Sequence, residues 1–209
     1  METPGGARLV WRAAAILFRP GRTWDVAAAE PADTRGILLG YVAPLAAVPA
    51  ICGAIGAYVF GFNIANVGVR LNPLGLVLEA LTTYLATVVG VWLLARWIAL
   101  IAPAFDAASD RGQALKLVAF SGTAAWLAGV FDLYPALGIP ASILAGLYSL
   151  YTLYLGLEPL LQAPDDKRLT FFAAILISIL IVTAGVGFLG LRAAEVGGPL
   201  GVSGYVAPR

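Results

Sequence analysis

Three tyrosines and one acid share a single apolar stretch. In AGLYSLYTLYLGLEPLLQAPDDKR, residues 145–168, the tyrosines are Tyr148, Tyr151 and Tyr154, and the acid is Glu158. At 100° per residue, Tyr151, Tyr154 and Glu158 fall opposite a narrow stripe of Ala145, Ser149, Thr152 and Gly156. Hydroxyls and a carboxylate on an apolar helix need polar partners or an aqueous boundary. A stripe of small residues lets a neighbouring helix approach closely. Ser121 and Thr123, midway along another apolar run, are the partners expected for Tyr148 and Tyr151. Ser121, Thr123, Tyr148, Tyr151, Tyr154 and Glu158 together form a candidate intramembrane polar network. A plainer reading stands beside it: an aromatic belt accounts for Tyr154, and Glu158 is a hydrated interfacial acid near Lys167 and Arg168.

A second constellation is basic and aromatic. In ARLVWRAAAILFR, residues 7–19, Arg8, Arg12, Ala15 and Arg19 share one stripe, while Leu9, Val10, Trp11, Ile16, Leu17 and Phe18 cover the rest. A helix so divided is too short and too charged to span, and lies in a membrane interface. Pro20 and Gly21 break it. A second short helix, 23–30, carries Trp24 to headgroup level. Arg8, Arg12, Arg19, Arg22 and Trp24 are therefore candidate lipid-interface residues. Anionic lipid would be drawn by about 1 kcal/mol per basic residue near the surface. The alternative is a cytoplasmic helix packed on the protein itself.

Other chemistry has little to work with. The chain has no histidine, so it holds no serine–histidine–aspartate triad and no histidine-ligated metal. Its one cysteine, Cys52, excludes an intramolecular disulfide. No phosphate-binding GxxxxGK[ST] loop occurs. The acids are scattered, and no two share a mid-membrane depth as an aspartyl dyad would require. No enzyme, cofactor or metal is expected.

These residues sit in a chain of 209 residues, 60% hydrophobic and only 12% charged, with mean hydropathy +0.88. Soluble domains carry about 25% charged residues, so the composition is that of a polytopic membrane protein. The net charge of +1 gives no field for nucleic acid. A span needs about 20 apolar residues. Five runs qualify, at about 36–59, 76–102, 114–133, 139–157 and 169–191. The expected fold is all-α: a cytoplasmic segment 1–35 with an amphipathic helix after a disordered start at 1–6, five transmembrane helices over 36–191, and a short external tail at 192–209. The start lacks a cleavage site, so the first span should serve as an uncleaved insertion signal.

Local signals add detail. Pro44, Pro49 and several glycines predict a kinked or broken first span. The connection 60–73, with Asn63, Asn66, Arg70 and Asn72, reads as an outer loop. Arg96, beside Trp92 and Trp97, and Lys116 read as snorkelling anchors. Glu79 and Asp132 lie near the outer face. Ala125 and Gly129 form a small-residue pair. Pro159 predicts that the fourth span ends or kinks at Glu158.

Arginine and lysine set the orientation. Arg8, Arg12, Arg19, Arg22, Arg35, Arg96, Arg111, Lys116, Lys167 and Arg168 fall on one side; Arg70, Arg192 and Arg209 fall on the other. Positive charge stays inside, which puts the N-terminus in the cytoplasm and the C-terminus outside.

Three stretches resemble the Ypt-interacting-protein (Yip) domain family of five-span membrane proteins, in particular its bacterial branch. LFRPGRTWDVAAAEPADTRGILLGYVAPLAAVPAI, residues 17–51, is similar to the family's RP-x-x-TW, EP and GY-x-x-P-L-A-x-x-P pattern. APAFDAASDRGQALKLVAFSGTAAWLAG (102–129) and LYSLYTLYLGLEPLLQAPDDKR (147–168) follow in the family's order. One departure is visible: the family usually carries a proline early in the third span, where this chain reads SGTAAW. Ala124 and Ala125 then predict a straighter helix. The resemblance implies five spans and a cytoplasmic N-terminus. Eukaryotic relatives act in vesicle trafficking and bind small Rab-type GTPases, a pathway that bacteria generally lack. The expected function is a non-enzymatic, membrane-organising or partner-binding scaffold in the bacterial inner membrane. It would meet anionic lipids and an unknown protein partner on its cytoplasmic face, with self-association left open by the small-residue faces. The alternative is a small-solute or ion channel or transporter built on polar residues of the first, third and fourth spans.

Overall fold

The computed structural model describes residues 5–60, 62–64, 67–69 and 73–196. Residues 1–4, Asn66, Arg70, Asn72 and the tail beyond Val196 lie outside them, as do the side chains of Arg8 and Asn63.

Two short helices, α1 (Gly5–Phe18) and α2 (Pro20–Ala29), precede five helical stretches long and apolar enough to cross a membrane: Thr34–Phe60, Pro73–Phe105, Arg111–Leu133, Ala136–Leu161 and Asp165–Ala193. The expected order and number of spans are those found. Gly5 and Gly6, expected in a disordered start, are the first turn of α1. The helix expected to end at 191 continues to Val196. Between the first two spans, Phe62–Ile64 and Val67–Val69 pair as a small antiparallel ribbon, Phe62 opposite Val69. The sequence reading had a plain loop there; the β-branched and aromatic residues of FNI and VGV favour the extended pairing.

The first span is continuous rather than broken. It comprises α3 (Thr34–Ile37), a π turn (Leu38–Val42) and α4 (Ala43–Phe60). The wide turn comes immediately before Pro44. A proline ring inside an α-helix collides with the carbonyl four residues back. Here the Ala43 N–H reaches the Leu38 carbonyl instead, which widens the helix at the point where the ring must fit. The second span is α5 (Pro73–Ile101), closed by a 3-10 turn, Ala102–Phe105.

The third span is segmented where a straighter helix was expected. It consists of α6 (Arg111–Ser121), α7 (Thr123–Ala128) and a 3-10 turn (Gly129–Leu133). Ser121 Oγ donates to the Val118 carbonyl at 3.2 Å and Thr123 Oγ1 to the Phe120 carbonyl at 2.6 Å. Such back-bonding competes with the helix ladder and bends it. This span is also the central one, with 67% of its apolar window buried against 6% for the fifth.

The fourth span, α8 (Pro135–Leu161), runs through Pro159 instead of stopping at Glu158. Leu157, Leu160 and Leu161 are all buried, and that packing offsets the lost backbone bond. The helix ends at Gln162, which takes a left-handed conformation (φ 51°) and returns its N–H to the Glu158 carbonyl at 2.9 Å. The fifth span, α9 (Asp165–Val196), packs along α5. Gly90 faces Val182 and Gly190 faces Thr83, so small residues bring these two helices close. Gly129, of the small-residue pair, lies against Pro49 of α4 in the same way.

The buried side chains concentrate at one end of the bundle. Ile16 and Trp24, the inward residues of 94–102 (Leu94, Ala95, Ile98, Ala99, Ala102), Leu115 to Phe120 apart from Lys116, Leu153, Leu157, Leu160 and Leu161, and Phe171 with Ile175 make up most of the core. This is the end that carries α1, α2 and the two basic connections. Towards the opposite end the spans expose Leu74, Val77, Ile177, Leu180 and Phe188, as helices facing acyl chains do.

Candidate functional site

Helices α1 and α2 form an antiparallel pair, held by Thr23, Trp24 and Glu30 of the RP-x-x-TW and EP motifs. Pro20 opens α2, where its missing N–H costs nothing. Thr23 Oγ1 lies 3.0 Å from the Ala15 carbonyl and 2.8 Å from that of Arg19, sharing one proton between them. The Glu30 carboxylate takes Arg12 Nη2 on both oxygens, at 2.7 and 2.6 Å. The Arg12 guanidinium also sits 5.3 Å from the centre of the Phe120 ring, within reach of a cation–π contact.

The pair is docked against the spans. Trp24, expected at headgroup level, is fully buried. Its indole N–H donates to the Thr152 carbonyl at 2.9 Å, and its ring lies against Gly156 and beside Phe120. Gly156 belongs to the small stripe of α8. A side chain there would come within 2.9 Å of the Trp24 ring, so the stripe serves to admit an indole.

Lys116, expected to snorkel to the headgroups, has only 2% of its surface exposed. Its ammonium donates to the Ala27 carbonyl at 2.7 Å, to the Glu30 carbonyl, and to Gln113 Oε1 at 3.3 Å. Gln113 Nε2 donates to the Ala28 carbonyl at 3.0 Å. Three carbonyls at the C-terminal end of α2 are therefore capped from α6. Terminal helix carbonyls lack partners of their own and carry partial negative charge. A lysine aimed at them supplies both donors and the matching sign. The N-terminus of α6 is itself capped by Asp110, whose carboxylate accepts from the Gly112 and Gln113 N–H groups at 2.7 and 3.0 Å.

Docking turns part of each face of α1 inward: Ile16 is buried, and Arg12 is largely so. Arg12 faces inward, while Val10, Trp11 and Phe18 face outward, Phe18 with 82% exposure. Of the candidate lipid-interface residues, Arg19 and Arg22 remain exposed, and Arg12 and Trp24 are structural.

The six candidate polar residues of the third and fourth spans are not one network. Thr123 pairs with Tyr41, an oxygen–oxygen distance of 2.6 Å in a buried setting, and not with a tyrosine of α8. Tyr41 belongs to the GY of the first span and was missed as a polar partner; its signal was a tyrosine well inside an apolar run, unlike Tyr58 at the run's end. Tyr148 reaches across to α1 and donates to the Leu17 carbonyl at 2.6 Å. Tyr151 is exposed and leans on Tyr148, ring centres 5.9 Å apart. Tyr154 packs edge-on against Phe172. Ser121 bonds within its own helix.

Glu158 lies at the rim, beside the charged connection. Arg168 holds it at 3.0 Å and Asp165 at 2.6 Å. Lys167 pairs with Asp106 of the connection between the second and third spans, and the Ala108 N–H donates to the Leu161 carbonyl at 2.7 Å. These bonds join the two basic connections into one surface beside the docked helices. Among the described residues no group of three or more acids or cysteines could hold a metal ion.

No curated protein and no solved structure matches the chain. The family model of the Yip1 domain matches residues 14–187, which includes the last turn of α1, all of α2 and the five spans up to the last turns of the fifth. The match begins in the docked pair and takes in the partners that hold it: Thr23, Trp24 and Glu30 on one side, Lys116, Tyr148 and Thr152 on the other. The chain belongs to the Yip1-domain family of membrane proteins.

Proposed function

We propose that the protein is a non-enzymatic scaffold of the Yip type in the bacterial inner membrane, with its N-terminus in the cytoplasm and its C-terminus outside. One observation carries this reading: the N-terminal helices are fixed to the spans by Lys116, Gln113, Trp24 and Tyr148. A pair tied down at both ends offers a preformed surface, and preformed surfaces bind without an ordering cost. Around it lie the exposed Arg19 and Arg22 and the joined connections. This face would receive a protein partner, and its arginines would draw anionic headgroups. Support over the transport reading comes from the same contacts. Thr123 and Tyr148, on which a polar path would depend, are engaged with Tyr41 and Leu17.

The test uses the full chain in native membranes, with a photo-crosslinking residue at Asp33 or Asp166, both exposed, and the lipid-facing Ile181 as reference. Discrete protein adducts are expected at the first two positions and not at the third, and Lys116→Met should weaken those at Asp33. Alkaline phosphatase fused after Arg209 should be active. Adducts to lipid alone at all three positions, or saturable solute flux in proteoliposomes, would overturn the scaffold. An inactive, stably expressed fusion would reverse the orientation.

A further inference from the structure

A groove of about 480 Å³ opens beside the last turns of α5, where the connection to α6 passes over it. Its walls are Trp92, Leu93, Arg96, Trp97, Leu100 and Arg111. Arg96 does not extend towards the end of its helix. Its guanidinium lies 4.6 Å from the centre of the Trp92 ring, one turn further into the span. That turn places it about 5 Å deeper than an extended arginine would reach. Neither Arg96 nor Arg111 has an ion pair among the described residues. The nearby acids are engaged: Asp110 caps α6 and Asp106 pairs with Lys167.

We propose that this groove binds one anionic phospholipid, its phosphate between Arg96 and Arg111 and its first acyl segments on Leu93 and, one turn deeper, Val89. The chemistry of the walls selects this ligand. Ser109 gives its proton to the Ala99 carbonyl at 2.7 Å, and the Trp97 indole gives its own to Ser178 Oγ at 3.0 Å. The donors left to a ligand are the two guanidinium groups and the Trp92 indole N–H. A planar guanidinium stacked on an indole keeps its N–H edge free for a phosphate fork. From the Arg96 guanidinium towards the middle of the span, the face of α5 is apolar and exposed, Leu93 by 52% and Val89 by 53%. It is continuous with the face that α5 turns to acyl chains. A small anion would use the arginines and make no use of that apolar wall. A neutral lipid would cover the wall and leave two cations unmatched. A phosphate with acyl chains attached satisfies both. Basic pockets at the cytoplasmic ends of spans bind such headgroups on the same logic. The site needs only that the chain spans a bilayer, and stands whether or not the cytoplasmic face binds a protein.

The experiment is lipid titration of the full chain in detergent, with bound lipid read by native mass spectrometry. Phosphatidylglycerol should bind at least tenfold more tightly than phosphatidylcholine. Arg96→Gln should weaken phosphatidylglycerol binding about fivefold or more. Arg35→Gln, an equal charge change at an exposed position outside the groove, should change it less than twofold. Arg96→Lys keeps the charge but loses the stacked fork, so it should fall between wild type and Arg96→Gln; it also serves if the glutamine variant does not fold. Millimolar inorganic phosphate should not displace the lipid. Equal binding of the two lipids, equal losses in Arg96→Gln and Arg35→Gln, or displacement by phosphate would each overturn the assignment.

Discussion

Replacing Lys116 by methionine isolates the contact that fixes α2 to the spans. Methionine keeps most of the apolar stem and removes the ammonium. The Ala27 and Glu30 carbonyls and Gln113 Oε1 lose their donor. A hydrogen bond to a charged group contributes about 1.5–3 kcal/mol, and a buried acceptor left without a partner costs about 1–3 kcal/mol. Against this stands the relief of no longer burying an ammonium, several kcal/mol in a dry site. The Gln113–Ala28 bond survives. The net loss is about 2–4 kcal/mol. It falls on docking, because two of the three acceptors belong to α2 and the residue after it. At about 1.4 kcal/mol per factor of ten, the undocked population should rise ~30- to 700-fold. Hydrogen exchange in lipid nanodiscs, followed by mass spectrometry, reads this directly. Amides of α2 should exchange faster by that factor, while the Phe171–Ile179 region of α9 should not change. Lys116→Gln, which keeps neutral donors, should fall between. Unchanged exchange in α2 would refute the capping argument, and equal acceleration in α9 would show that the lysine supports the whole bundle instead.

Two further outcomes follow from the same geometry. Gly156→Leu should push the Trp24 ring from its place, since even a Cβ there would lie 2.9 Å from it; overpacking of this kind costs about 1–3 kcal/mol, read as a lower melting temperature in detergent, with Gly146→Leu, which has open space, as the neutral control. Tyr41→Phe leaves Thr123 without its inter-helix partner and should cost about 0.5–1.5 kcal/mol of thermal stability, whereas Tyr151→Phe, an exposed side chain, should cost nothing measurable; the reverse ranking would restore the tyrosines of α8 as the polar centre.

Much of the architecture was legible in the chain because the bilayer constrains it so strongly. Hydrocarbon thickness fixes span length, and the lack of water forces helices. Five apolar runs in the sequence are therefore five spans in the structure. The small stripe of α8 was legible too, because close approach requires residues without bulk. The faces of α1 and the role of Lys116 were not. An arginine or lysine on a short amphipathic helix can point at water or at buried acceptors, and helical periodicity is the same in both cases. The polar pairs misled for a related reason: Thr123 had several hydroxyls within range, and spacing cannot rank them.

What the sequence alone determined is the number of spans and their order, both consequences of local composition against a slab of fixed thickness. What only the tertiary structure decided is which polar groups satisfy one another. Lys116 meets α2 across 89 residues of chain, Trp24 meets Thr152 across 128, and Tyr148 meets Leu17 across 131. Each of these bonds exists because a buried donor must find an acceptor, and the acceptor it finds is set by how the helices pack, which no local pattern encodes.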